Sequence, residues 1–303
     1  MQSIEQIRYH ELYQKHLTAL KLNNLSATTI DVYARAVRRV TDLTDCCPDK
    51  LTKDQFRQHF VDLIETHSWS TVRSDRAGLQ FFFKHVLKKQ WDWSEIVRPK
   101  TVKTLPDVIT HAQTSALLEA ANEQRYQTFF LVCYSMGLRL REGLSLEVKD
   151  IDAVQMRIHV RLGKNNKDRY VILPQRALQA LRRYWQTHRN PTLLFPAGNT
   201  SRERFRANKP MSKCGVQRSI KKITTDARIR TNVTTHTLRH AYATHLLERG
   251  LSLRQIQQLL GHASIETTML YTKLTEPAEQ NASALINTML DELPVTLDAG
   301  QPT

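Results

Sequence analysis

Two histidines, two arginines, a lysine and a tyrosine fall between positions 139 and 271 of this 303-residue chain in an order suited to acting on a phosphate. His236 and Arg239 stand one helical turn apart, so a helix beginning near Thr237 would turn both toward one anion. His262 follows Gly261 and precedes Tyr271 by nine positions, room for a short helical step that returns a phenol to the same place. Upstream, the step Gly137-Leu138-Arg139 adds a guanidinium with Glu142 one turn beyond, and the run from Gly163 to Arg169 adds a lysine, Lys164. Breaking and rejoining a phosphodiester calls for such groups. Arginine offers a planar fork that stays charged at any working pH, which suits Arg139 and Arg239 to the non-bridging oxygens. A phenol such as Tyr271 forms a phosphate ester that conserves the energy of the broken bond. The departing 5′ oxygen needs a proton, which Lys164 could deliver from a hairpin tip. His236 could take the tyrosine's proton near neutral pH, and His262 could donate a hydrogen bond to the phosphate.

The ordered series Arg139, Lys164, His236, Arg239, His262 and Tyr271 resembles the tyrosine recombinase (phage integrase) family, in which the matching positions are catalytic. The resemblance covers most of the chain, because the first half looks like the family's helical arm-like domain. It implies a mainly α fold with a small β-sheet: an N-terminal four-helix core-binding (SAM-like) domain and an α+β catalytic domain that together form a C-shaped clamp on DNA. It implies a site-specific recombinase that binds double-stranded DNA at core sites and cuts one strand of each duplex through a 3′-phosphotyrosine intermediate. The ends are then exchanged and a Holliday junction resolved, in DNA integration or excision. The partners expected are a homo-tetramer on synapsed DNA or a related recombinase, with no metal, ATP or other cofactor. Glu142 falls where the family usually has an acid, expected to hold the basic groups in place. The four-helix unit has no arm-binding domain ahead of it, which favours an Xer-like or transposon-associated type.

Each residue taken singly has a plainer reading. A tyrosine near a C-terminus is ordinarily a half-buried aromatic, and His262 after Gly261 could simply neighbour a helix cap. Lys167 stands as the alternative to Lys164; the family's lysine follows the hairpin glycine directly, which favours Lys164, whereas Asn165 and Asn166 replace the usual glycine-containing turn. His236, His240 and His245 cluster on one helix but without a His-Glu-x-x-His pattern, and the four cysteines have no spacing that suggests zinc or a disulfide framework. His240 and His245 read as structural. The stretch 244–262 resembles a helix-turn-helix, so a non-catalytic DNA-binding regulator is the alternative function. It leaves Arg139, Lys164 and Tyr271 unexplained. A type IB topoisomerase or hairpin telomere resolvase would use similar chemistry, and the chain's size and four-helix first domain favour a recombinase over both.

The formal net charge of +15 fits a phosphate-rich partner, and attraction to it weakens steeply with salt. No apolar run approaches the roughly 20 residues of a spanning helix, and the first residues do not read as a signal peptide. The chain is therefore expected in the cytoplasm, associated with the nucleoid and not with membrane, where scattered free cysteines fit.

Periodicity supplies the elements that must position these groups. Apolar residues at helical spacing from Ile4 to Leu22, from Ile30 to Val40, after a Thr52/Gln55 capping box, and from about Ser70 through Val86 and Leu87 predict four helices. Arg35, Arg38 and Arg39 on the second, and Arg73, Arg76, Lys84, Lys88 and Lys89 on the fourth, predict two basic faces toward DNA backbone. The domain boundaries expected are 1–97 for the helical unit, 98–106 for a basic, Pro-bounded linker, 107–292 for the catalytic unit and 293–303 for a flexible polar tail. Within the catalytic unit, Thr114 to Ala121 and Tyr126 to Met136 read as helices, the second delivering Arg139. Residues 157–162 and 170–174 read as a hairpin with a polar tip. Leu178 to Trp185 starts another helix, 191–197 and 201–210 read as loops, and a Ser252/Gln255 capping box opens a helix that Gly261 ends, presenting His262. An apolar stripe on 278–290 predicts a last helix, open to exchange between protomers.

Overall fold

The computed structural model describes residues 3–100, 107–161 and 168–261. Lys164, Lys167, His262, Tyr271 and the last helix expected lie outside these. The chain divides into two compact units, residues 1–103 and 104–303.

The first unit holds four helices: α1 Ser3–Leu22, α2 Ala27–Thr44, α3 Lys53–Thr66 and α4 Trp69–His85. Side chains that accept a backbone N–H fix where three of them start: Ser26, Thr52, with its full capping box to Gln55, and Ser68. Val37, Val40, Phe56, Phe60, Leu63, Leu79, Phe82 and Phe83 meet in one core, closed by Trp93 beyond α4. Fully burying each such side chain stabilises the unit by about 1.5–3 kcal/mol. The α2–α4 seam depends on Gly78, where an added Cβ would stand 2.9 Å from Ala36 Cβ and 3.0 Å from Tyr33 Cα. Val86, read as part of the fourth helix, is its C-cap, and Leu87 lies past the end. The basic face of α2 is only partly free: Arg39 forms an ion pair with the buried Asp75, whose carboxyl burial pushes up in pKa against that pairing, and Arg35 pairs with Asp31.

The second unit builds on α6, Gln124–Ser135, whose Phe129, Phe130, Val132 and Cys133 are wholly buried. Around it come α5 His111–Glu119, the short α7 Leu140–Leu144 and a three-stranded antiparallel sheet in the order β1 Ile151–Asp152, β2 Arg157–Val160, β3 Arg169–Ile172. There follow α8 Gln175–Gln186, α9 Ser201–Arg206, α10 Lys213–Asp226, α11 Thr235–Glu248 and α12 Leu253–Leu260. In the β2–β3 pairing Ile158 faces Val171 and Val160 faces Arg169, so alternate side chains enter the core. The expected hairpin is present, with β1 as an additional short edge.

Three expectations change in this unit. Residues 201–206 form a helix, not a loop, because Thr200 and Glu203 make a capping box; the helix buries none of its residues. The α10 helix was not foreseen, although Val216, Ile220 and Ile223 at helical spacing bury its inner face. The helix carrying His236 and Arg239 begins at Thr235 rather than near Thr237, since Thr234 is the residue that caps it.

Candidate functional site

The site is assembled where α6 ends. Gly137 takes a left-handed φ of +58°, and an added Cβ there would sit 2.7 Å from both Leu260 and Tyr242. That turn buries Leu138 and leaves Arg139 as the residue before α7. Glu142, one turn into the helix, reaches back. Its Oε2 accepts the Arg139 backbone N–H at 2.9 Å and its Oε1 accepts Arg139 Nη1 at 2.6 Å.

Two further guanidinium groups approach the same carboxylate. Arg169, the first residue of β3, donates Nη1 to Glu142 Oε1 and Nη2 to Oε2, each at 2.9 Å. Arg239 on α11 lies 3.9 Å from Glu142 Oε2 and is 1% exposed. Its Nη1 donates to the Gly137 carbonyl at 2.5 Å and its Nη2 to the Leu260 carbonyl at 2.6 Å. Arg239 thereby ties the Arg139 turn to the end of α12. Burial pushes the Glu142 pKa up, but the hydrogen bonds and charge of Arg169, with those of Arg139, outweigh it and hold the carboxyl down at about 2. Three guanidinium groups around one carboxylate leave the cluster with a net positive charge.

His236 sits in the first turn of α11, exposed to solvent at the end of the helix where backbone N–H groups favour an anion. The protein crowding its inner side costs it hydration, and Arg239 and Arg139 repel a proton, so its pKa is lowered. Its ring packs edge to face on His240 at 4.5 Å between centroids. His240 is pushed down to about 4 by burial, then by His236 and Arg239. His245 is buried in a different role: its ring nitrogens meet the Tyr134 hydroxyl at 2.9 Å and the Ile109 carbonyl at 3.1 Å. Among the described residues no group of three His, Cys, Asp or Glu side chains could hold a metal ion.

The structure therefore brings Arg139, Glu142, His236 and Arg239 together, and places Gly261 as the left-handed C-cap of α12 immediately before His262. Sequence reasoning missed Arg169 as a member of the cluster. Its signal was available: along β3 and the residue after it the core-facing positions run Arg169, Val171, Leu173, while Tyr170 and Ile172 are exposed. An arginine in that register needs a buried acid to meet it.

A family model described as the phage integrase family matches residues 107–277, and one described as the phage integrase N-terminal SAM-like domain matches residues 12–93. The protein y4qK of Sinorhizobium fredii, named as an integrase/recombinase, is 32% identical over 273 residues, covering 89% of this chain and 86% of that protein. The tyrosine recombinase XerD of Staphylococcus epidermidis is 31% identical over 289 residues, covering 88% of this chain and 94% of the relative. Among solved structures, a lambda integrase tetramer bound to a Holliday junction matches with a TM-score of 0.70 at 17% identity, over 86% of this chain and 76% of that one, a likeness of fold. With the arginine cluster built at the turn after α6 and both family models matching in order, the chain belongs to the phage integrase family, as a tyrosine recombinase of Xer-like type.

Proposed function

We propose that this recombinase cleaves and rejoins DNA at specific sites with Tyr271 as nucleophile, Arg139, Arg239 and His262 stabilising the phosphate, His236 managing the tyrosine proton and Lys164 protonating the 5′ oxygen. The observation that carries this reading is the convergence of Arg139 and Arg239 on Glu142 beside His236. A trigonal-bipyramidal phosphorane-like transition state gathers negative charge on its non-bridging oxygens, and fixed guanidinium donors meet that charge without reorganising. His236, with a lowered pKa, is neutral near pH 7 and able to accept a proton. The covalent step exchanges one ester for another: the Tyr271 oxygen bonds to phosphorus, the bond from phosphorus to the 5′ oxygen breaks, and that oxygen takes a proton from Lys164. Every role is filled by a side chain.

At the finer level, the helical unit, 1–97, and the catalytic unit, 107–292, joined by residues 98–106, would each engage the core sites. Four copies, or two copies with two of a related recombinase, would act on synapsed duplexes. The tetramer of lambda integrase on a Holliday junction supports this arrangement by analogy of fold. The proposal places the protein at the nucleoid in the cytoplasm.

The test is covalent trapping. A nicked suicide substrate should accumulate a protein–DNA adduct with the wild-type chain and none with Tyr271→Phe, while binding stays within about twofold, since only the attacking oxygen is lost. An adduct persisting in the variant would remove Tyr271 from the mechanism. Retained binding with no adduct in the wild-type chain would favour a DNA-binding regulator.

A further inference from the structure

Arg169 has no place in the chemistry just described, yet its surroundings give it one. It opens β3 in the core-facing register of Val171 and Leu173. A guanidinium there is stable only if a charge meets it. Glu142 does, through two parallel hydrogen bonds at 2.9 Å each between side chains that are 14% and 4% exposed. The same two oxygens hold the Arg139 guanidinium and backbone N–H. Arg169 also lies against the end of α12: a Cβ on Gly261 would come within 2.9 Å of its Cδ and 3.1 Å of its Nε. One side chain therefore touches both the acid that anchors Arg139 and the cap that precedes His262.

We propose that Arg169 is a positioning residue for strand cleavage: by locking Glu142 from behind, it fixes the Arg139 guanidinium in the orientation that meets the scissile phosphate. The proposal rests on the recombinase reading above. Two physical effects support it. A carboxylate gripped by a planar fork loses its freedom to rotate, so the Arg139 contacts on both oxygens keep their direction. The carboxylate's charge is also shared chiefly between Arg139 and Arg169, with Arg239 at 3.9 Å, and Arg139 keeps more of its positive field for the substrate. Without Arg169, that charge would fall mainly on Arg139, because Arg239 stands farther off at 3.9 Å.

The full-length chain allows a direct test by single-turnover cleavage of nicked suicide substrates at saturating protein, with binding and thermal unfolding measured alongside. Arg169→Gln should cleave about tenfold more slowly or worse, on the scale of partners that orient reacting groups from behind, with DNA binding within twofold. Arg169→Lys, which keeps the buried charge but loses the fork, should fall between, and it carries the test if Arg169→Gln unfolds. Combining Arg169→Gln with Glu142→Gln should slow cleavage no further than Glu142→Gln alone, because both act through the same carboxylate. Replacing the 5′ oxygen by sulfur should not restore Arg169→Lys. Sulfur rescue would mean that Arg169 serves Lys164 instead, and additive losses in the double variant would mean that it does not act through Glu142; either overturns the proposal. Wild-type cleavage by a folded Arg169→Gln overturns it too. No adduct from the wild-type chain would bring down the recombinase reading itself, a different result from equal adducts in both.

Discussion

At Glu142 burial and ion pairing oppose one another, and pairing wins. The carboxyl is held at about 2, so it stays ionised at any pH where duplex DNA is handled, and its grip on Arg139 does not titrate. In the mechanism proposed, the pH-sensitive steps lie elsewhere, at His236 and at the leaving-group proton. If Lys164 is the acid, Lys164→Ala should be slow on ordinary DNA, yet largely restored when the 5′ oxygen is replaced by sulfur, because a thiolate departs without a proton. Lys167→Ala should instead weaken binding modestly through a lost phosphate contact and show no selective sulfur rescue. Cleavage rates on paired oxygen and sulfur substrates decide between the two lysines. The reverse pattern would give the role to Lys167.

At the scale of elements, the placement of Arg139 depends on one tight turn. Gly137→Ala would meet Leu260 and Tyr242 at 2.7 Å and force a side chain into left-handed backbone, so it should destabilise the catalytic unit by about 1–3 kcal/mol. Cleavage should fall with it, because Arg239 holds the Gly137 carbonyl. A thermal unfolding midpoint equal to wild type would contradict the packing described there. Much of this was legible beforehand. The capping boxes at Thr52 and Ser252 and the glycine stop at Gly261 read correctly, because caps are local: the residues that satisfy the backbone lie within one turn of it. The placement of Arg139, Glu142, His236 and Arg239 in one cluster was legible from motif order. Arg169 was not, since its partner lies 27 residues away and only the register of β3 turns it inward. The helix at 201–206 was missed for another reason: it buries nothing, so it has no apolar stripe, and only its cap announces it.

Across the whole molecule, buried and half-buried imidazoles link stability to pH in both units. His16 and His59 in the helical unit, and His188 and His240 in the catalytic unit, are each pushed down to about 4, chiefly by burial. Below the ordinary histidine pKa near 6.5 the unfolded chain takes up protons that these folded sites refuse. Their contribution is thus complete above about pH 6.5 and is lost as pH falls from there toward 4. His59 isolates the effect. It is 3% exposed, both ring nitrogens lack a hydrogen-bond partner, Arg39 repels its protonated form, Asp62 weakly favours it, and its ring meets Phe60 edge to face at 5.3 Å. Phenylalanine can fill the same space without titrating. The unfolding midpoint of the wild-type helical unit, followed through the fluorescence of Trp69, Trp91 and Trp93 in the full-length chain with Trp185 replaced, should fall clearly between pH 7.5 and 5. His59→Phe should fall less, gaining at pH 5 relative to wild type by up to about 2 kcal/mol, the most that the cited shift allows at that pH. If the two midpoints stay parallel across that range, His59 is not held neutral by burial, and the acid sensitivity of the helical unit must come from elsewhere.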